Sequence, residues 1–295
     1  MTEQRREVLI RDCGPRDGLQ GEMPLDVQVR VGLARDLASA GVLHVEAAAF
    51  VSARSVPSMA GAAEIVAQLP DDGTNWWVLV PNRRGAEMAV DAGASRLTVT
   101  VSASPVYSEK NVNMTVDESI AQVAEIRAVA PAATIDAVVS CSFGSSFGDR
   151  VTVADVVRVC ASLRQRGVDQ LTLADTTGTA TPRRIEMVLD KTGPDVGMHF
   201  HDTRATALTN AVAAYQLGVR RFDTGIGGLG GSPFAPGAGG NLATEDLVLL
   251  LEDVGVPTGI DLGALIEVSR GLGRVLGREL PSRVARAGPL PDFAE

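Results

Sequence analysis

His199 and His201 stand two residues apart in MHFHD, and the chain has only three histidines in 295 residues. Residues two apart on a strand project to the same side. If this segment is a strand, both imidazoles address one point. Such a pair is either a metal site or a hydrogen-bonded polar strand edge. Asp17 in RDCGPRDGLQ and Asn241 in GGNLATED are the candidates that would decide between these readings. Two imidazoles, a carboxylate and an amide oxygen make a mixed nitrogen and oxygen site. That set suits Mg²⁺ or Mn²⁺ and leaves positions open for water or substrate oxygens. Zn²⁺ is less favoured, because no thiolate is obviously at hand. Arg16 precedes Asp17. It is either a salt-bridge partner or a cation placed to stabilise an enolate oxygen as charge develops. Glu46 and Asp175 close apolar runs, where an acid either caps a helix or belongs to a site.

These residues converge only if the right elements hold them. Eight short apolar runs are read as strands: Val8–Arg11, Leu43–Glu46, Trp76–Val80, Leu97–Val101, Thr134–Val139, Gln170–Ala174, Val196–His199 and Arg221–Asp223. A helical pattern follows each one. Val153, Val156, Val157, Cys160 and Leu163 recur at helical spacing. Thr115 with Glu118 and Thr152 with Asp155 have the spacing of capping boxes. Thr181-Pro182 reads as an N-cap followed by a first-turn proline. Eight alternating units predict a parallel (β/α)8 TIM barrel, with an open doubly wound sheet as the competitor. Polar residues at strand C-termini then share one rim. Strands one and seven are separated there only by the eighth, which brings Asp17 towards the histidine pair. A chain of this length fits one α/β barrel of about 250 residues. We expect a single catalytic domain over 1–295, with the barrel at about 8–255 and a helical extension at about 256–295.

Composition narrows the partners. Hydrophobic residues make up 45% and aromatics 4%, so Ala, Val, Leu and Ile must build the core, as buried parallel strands require. A net charge of −9 without a basic block argues against nucleic acid and anionic membranes. No run approaches the ~20 apolar residues of a membrane helix. The opening MTEQRREVLIRD lacks an apolar signal core. Three scattered cysteines, Cys13, Cys141 and Cys160, are not a disulfide framework. The expectation is a cytoplasmic protein acting on a small molecule, with a homo-oligomer left open as its assembly. Gly225–Gly240 holds eight glycines in sixteen residues and reads as a lid, a close backbone approach to a ligand, or a surface loop.

Seven segments together resemble hydroxymethylglutaryl-CoA lyases: GPRDGLQ at 14–20, FVSARSVPSMA at 50–60, VLVPNRRG at 78–85, KNVNMTVDES at 110–119, DTTGTATP at 175–182, HFHDT at 199–203 and GGLGGSPFAPGAGGNLATEDL at 227–247. The resemblance runs over roughly residues 8–275. The wider group includes metal-dependent acyl-CoA condensing enzymes, but the GLGG…GNLATED block favours the lyase branch. The resemblance implies a divalent metal held by Asp17, His199, His201 and Asn241. It implies that Arg16 contacts the substrate carbonyl, with Glu46 and Asp175 as supporting acids. His199 is expected to do acid–base work as well as ligate. The implied reaction cleaves a 3-hydroxy-3-methylglutaryl-CoA-like thioester into a keto acid and acetyl-CoA.

Three places depart from that pattern. The family's loop cysteine in GGCP is replaced by Ser232. An unactivated hydroxyl is a far weaker acid than a thiol, whose pKa is about 8.5. Arg204 stands where tyrosine and glycine usually follow HxHD, and is a candidate contact for an extra carboxylate or phosphate. Ser145-Ser146 replaces a Cys-Pro. These differences keep two other readings open: an aldol or Claisen-type enzyme on another acyl substrate, or a catalytically weak binding homologue.

Overall fold

The computed structural model describes residues 8–231 and 239–291. All eight expected strands are present: β1 Leu9–Asp12, β2 His44–Ala49, β3 Asn75–Leu79, β4 Arg96–Ser102, β5 Thr134–Ser140, β6 Gln170–Asp175, β7 Gly197–Phe200 and β8 Arg221–Thr224. They pair in parallel in chain order and close into a barrel, β1 meeting β8 from Leu9↔Arg221 to Asp12↔Thr224. Closure rules out the open sheet and leaves no free sheet edge.

Helices cover the outside, and several start where their capping residues dictate. Thr115 opens Val116–Val129 and Thr152 opens Val153–Gln165, each with a complete capping box. Thr181 accepts from Arg184 N ahead of Pro182–Thr192. The buried stripe of Val153–Gln165 is Val156, Val159, Cys160 and Leu163. Val159 therefore stands in the core where periodicity had favoured Val157, as residues 156, 159, 160 and 163 share one helical face. The core between strands and helices is aliphatic: Val45, Val78, Leu97, Ile135, Leu173 and Met198 are fully covered.

Inside the barrel the chemistry changes. Arg11, Glu46, Asp136 and Asp223 are all buried there. In β2 the register with β3 slips between Glu46 and Ala48. Irregularities of this kind re-aim side chains at barrel rims and beside active sites. Beyond residue 256, helix Leu262–Leu276 and the short turn Arg283–Ala287 fold back onto the barrel. Asp246 holds that return, accepting from Ser282 Oγ at 2.6 Å and Val284 N at 3.0 Å. No helix among the described residues is long and apolar enough to cross a membrane.

Candidate active site

Three strand ends build the cluster. After β1 the chain makes a wide turn, Gly14–Gly18, in which the N–H groups of Asp17 and Gly18 both donate to Cys13 O, at 2.7 and 3.2 Å. Single wide turns of this type recur at functional sites. Asp12 fixes the turn by accepting from Gly14 N at 2.7 Å. A Cβ on Gly14 would lie 2.7 Å from Ile226 Cγ2 and 2.8 Å from Asp12 Oδ1, so this position admits no larger residue. The turn delivers Arg16 and Asp17 to the barrel mouth.

Asn241 arrives by a different route. The chain returning from the glycine-rich loop pairs antiparallel against the end of β7, with His201 opposite Asn241. Asp202 N donates to Gly240 O at 2.8 Å and Leu242 N to Phe200 O at 2.9 Å. The backbone therefore places the amide beside the imidazoles. Thr244 locks the return by donating its hydroxyl to Asp12 Oδ2 at 2.5 Å, and Glu245 accepts from Gly227 N at 3.1 Å through both oxygens. Gly230, at φ +113°, passes so close that an added Cβ would lie 2.3 Å from Asn241 Nδ2. This is one place where the glycine content answers to a close approach.

The four expected ligands meet. Ligand atoms of Asp17, His199 and His201 lie within 4.8 Å of one another. His201 Nδ1 is 3.2 Å from Thr176 O, a carbonyl that can only accept. Its proton is therefore on Nδ1, and Nε2 carries a lone pair. His199 Nδ1 faces Asp223 Oδ2 at 3.3 Å. The two Nε2 atoms are 3.2 Å apart. With both rings protonated on Nδ1, two lone pairs would face each other there and repel unless a positive species stood between or beside them. Asn241 supports the same conclusion. Its Nδ2 donates to Asp17 Oδ2 and Leu229 O, both at 2.8 Å, which fixes the orientation of the amide. Oδ1 is left buried without a partner among the described residues. A buried, orphaned acceptor beside two inward-facing imidazoles and a carboxylate fits a hard or borderline divalent cation.

Electrostatics agrees. Burial would raise the Asp17 carboxyl, but the Arg16 guanidinium and the two imidazoles draw it down to about 2. Burial and the neighbouring His199 push His201 down to about 4, leaving its ring neutral and ready to ligate. A second group, Cys13 with His199 and Asp223, is also compact. It is a poor cation site, because Arg11 already occupies both oxygens of Asp223. Burial, with Asp223 and Glu46 nearby, pushes the Cys13 thiol well up and keeps it protonated.

Arg16 lies at the cavity floor, bonded to Glu46 Oε2 through Nε at 2.6 Å and to Asp17 Oδ1 through Nη1 at 2.7 Å. Glu46 is fully buried, and its Oε1 has no partner among the described residues. A cavity of about 370 Å³ opens above, with Arg16, Asp17, His199 and His201 at one end and Tyr107 and Asn111 among its walls. A larger cleft of about 600 Å³ lies between Ser145, Arg150 and Arg183, but it contains none of these groups. Chemistry rather than volume selects the smaller one.

Asp175 stands beside the cluster, opposite Phe200 in the register of β6 with β7, and its Oδ2 is buried without a partner among the described residues. Asp175 Oδ1 accepts from Thr179 N at 2.6 Å and Ala180 N at 2.9 Å, so it pins the turn after β6. Burial raises it to about 6 despite those donors. Arg204 is exposed and donates to the carbonyls of Thr177 and Gly178, at 2.9 and 2.6 Å. It lines no wall of the cavity. Ser145 bonds to Asp149, which also accepts from Ser104 Oγ at 2.5 Å and thereby ties the loop after β5 to the helix Pro105–Val112. Ser232 lies outside the described residues. Sequence reasoning missed Arg11, Asp136 and Asp223. Their signal was a charged residue inside each of LIRD, TIDAVV and RFDT, runs otherwise read as apolar strand.

Fold and site together define a (β/α)8-barrel enzyme whose catalytic rim is built for a divalent cation beside a buried arginine. The chain belongs to the HMGL-like family, whose model matches residues 7–271, and it is a lyase of that family. It is 41% identical to the hydroxymethylglutaryl-CoA lyase of Pseudomonas mevalonii over 95% of this chain and 96% of that protein. It is 40% identical to the (R)-citramalyl-CoA lyase of Chloroflexus aurantiacus over 96% of this chain and 95% of that one. An HMG-CoA lyase from A. baumannii, solved with coenzyme A and 3-methylmalate, superposes with a TM-score of 0.93 at 37% identity, covering 100% of this chain and 99% of that one.

Proposed function

We propose that this protein cleaves a short 3-hydroxy-3-methyl diacid thioester of coenzyme A, in the manner of hydroxymethylglutaryl-CoA lyases. It would use Mg²⁺ or Mn²⁺ held by Asp17, His199, His201 and Asn241. The observation carrying this reading is the pair of imidazole Nε2 atoms 3.2 Å apart beside Asp17, at the floor of a cavity that also exposes Arg16. When bound, the cation polarises substrate oxygens and lowers the pKa of the tertiary hydroxyl.

Cleavage removes the hydroxyl proton and turns that C–O bond into a carbonyl. The adjacent C–C bond breaks, and its electron pair passes into the thioester as an enolate. A proton then returns to the enolate carbon, so the reaction is a net split with no oxidant or co-reactant. The hydroxyl proton leaves to solvent, because a His199 that ligates through Nε2 and faces Asp223 with Nδ1 has no nitrogen left to accept it. Arg16, held rigid by Glu46 and Asp17, presents a guanidinium to oxygen as charge develops, and a preorganised donor of this kind stabilises the transition state more than the ground state. Asp175 keeps the β6 turn in place through Oδ1 and is a supporting acid through its unpartnered Oδ2. Ser232 matches the family's loop acid in sequence and is the candidate for the final protonation. Ser232→Cys supplies a better acid, and should raise cleavage by about 10²-fold if that step limits turnover.

The near-equal identity to a citramalyl-CoA lyase supports a second substrate, one methylene shorter. Incubating the metal-loaded protein with each thioester and identifying products by mass spectrometry tests both. Acetyl-CoA with acetoacetate supports the first, and acetyl-CoA with pyruvate the second. Absence of acetyl-CoA from both would overturn the reading.

A further inference from the structure

Below the cation cluster, three strands place charged residues side by side in direct register. His199 on β7 is opposite Asp223 on β8, and Asp223 is opposite Arg11 on β1. The three side chains meet in the barrel interior. Arg11 grips Asp223 with two parallel bonds, Nε to Oδ1 at 2.8 Å and Nη2 to Oδ2 at 2.7 Å. The same Nη2 reaches Asp136 Oδ2 on β5 at 2.8 Å, and the guanidinium carbon lies 4.9 Å from the Trp77 ring centre. Fork and ring fix the guanidinium plane, so the Asp223 carboxylate cannot rotate. One oxygen still has a lone pair free, and His199 Nδ1 lies 3.3 Å from it.

We propose that Asp223, locked by Arg11, is a positioning residue that fixes the proton of His199 on Nδ1 and so presents a bare Nε2 at the cavity floor. The inference rests on His199 being a cation ligand. An acceptor that is already doubly bonded to a guanidinium stays ionised, and an ionised carboxylate imposes an N–H on the ring nitrogen facing it. A carboxylate behind a ligating imidazole also raises its basicity and sets its orientation. Burial alone would raise the Asp223 carboxyl, yet Arg11 and His199 hold it well below the usual carboxylate range. The barrel therefore does for His199, with a charged layer, what the Thr176 carbonyl does for His201.

Nitrogen-15 NMR of histidine-labelled, metal-free protein at about pH 9, well above the usual imidazole pKa of about 6.5, reads the tautomers directly. The expected wild-type result is His199 and His201 both protonated on Nδ1. In Asp223→Asn the amide competes for the Arg11 fork, and His199 should shift towards the Nε2 proton while His201 stays unchanged. Mn²⁺ affinity, followed by electron paramagnetic resonance, should weaken tenfold to a hundredfold. A wild-type His199 protonated on Nε2 overturns the proposal, as does a variant that keeps both the wild-type tautomer and Mn²⁺ affinity. If Asp223→Asn does not fold, the wild-type spectrum decides alone. Neither measurement involves a thioester, so failure here is distinct from failure of the substrate reading.

Discussion

Two buried groups of charges share the barrel of this protein. At the rim, Asp17, His199, His201 and Asn241 bring two imidazole Nε2 atoms to 3.2 Å and leave Asn241 Oδ1 without a partner among the described residues. One layer below, Arg11 sits between Asp136 and Asp223 with its bonds made at 2.7–2.8 Å. Both are costly to bury; the lower layer makes most of its hydrogen bonds within itself, although Asp136 Oδ1 has no partner among the described residues. The upper cluster is unfinished without a cation and substrate oxygens. The difference is physical. A polar group left short of partners in a buried site is retained for something that binds there, whereas a satisfied ion pair serves position and packing. Arg16 lies on the boundary, paired like the lower layer and facing the cavity like the upper one.

That contrast breaks if the upper cluster proves structural. His201→Ala should remove a ligand, with metal content by mass spectrometry falling to near background. Turnover should fall by about 10³-fold or more, on the scale of losing a major transition-state stabiliser. Stability should change little, since the Nδ1 bond to Thr176 contributes only about 1 kcal/mol. Full metal loading together with wild-type turnover would end the assignment. The lower layer should respond in the opposite sense. Arg11→Met leaves two carboxylates facing each other in the interior, and urea unfolding should show a loss of about 3–5 kcal/mol. A loss under about 1 kcal/mol would mean that the layer is not the closed unit described. Arg16→Lys sharpens the boundary. It keeps the charge on Glu46 but loses the planar fork, so kcat should drop roughly tenfold to a hundredfold while the melting temperature moves by only a few degrees. An unchanged kcat would move Arg16 wholly into the structural class.

Much of this arrangement was legible in the chain itself. Apolar runs of strand length, each followed by a helical pattern, are local signals, and all eight strands appear where those runs stand. The caps at Thr115, Thr152 and Thr181 are local too, because hydroxyl and backbone N–H lie within three residues. The HxH spacing places two imidazoles on one side of a strand whatever surrounds it. Barrel topology then accounts for Asp17 meeting them, since consecutive strands share a rim.

Only the folded chain could decide which charges pair. Arg11 and Asp223 are 212 residues apart, and their contact depends on β1 closing against β8 in one register. A slip of one residue would turn every side chain of the strand to the opposite face. Arg16 finds Glu46 through the wide turn after β1 and the slipped register in β2, neither of which has a periodic signature. Asp175 was visible as a site acid or as a cap; Thr181 is the cap, and Asp175 holds the turn at Thr179 and Ala180 through Oδ1 while Oδ2 stays unpartnered among the described residues. Arg204, which in sequence stands immediately after the histidine motif, turns away to the Thr177 and Gly178 carbonyls. Residue type and spacing determined the strands and the histidine pair, because both follow from short-range geometry, and barrel closure brought the other candidate ligands to them. The partners of the buried charges were left to tertiary structure, because electrostatic pairing depends on distances that exist only once the barrel has closed.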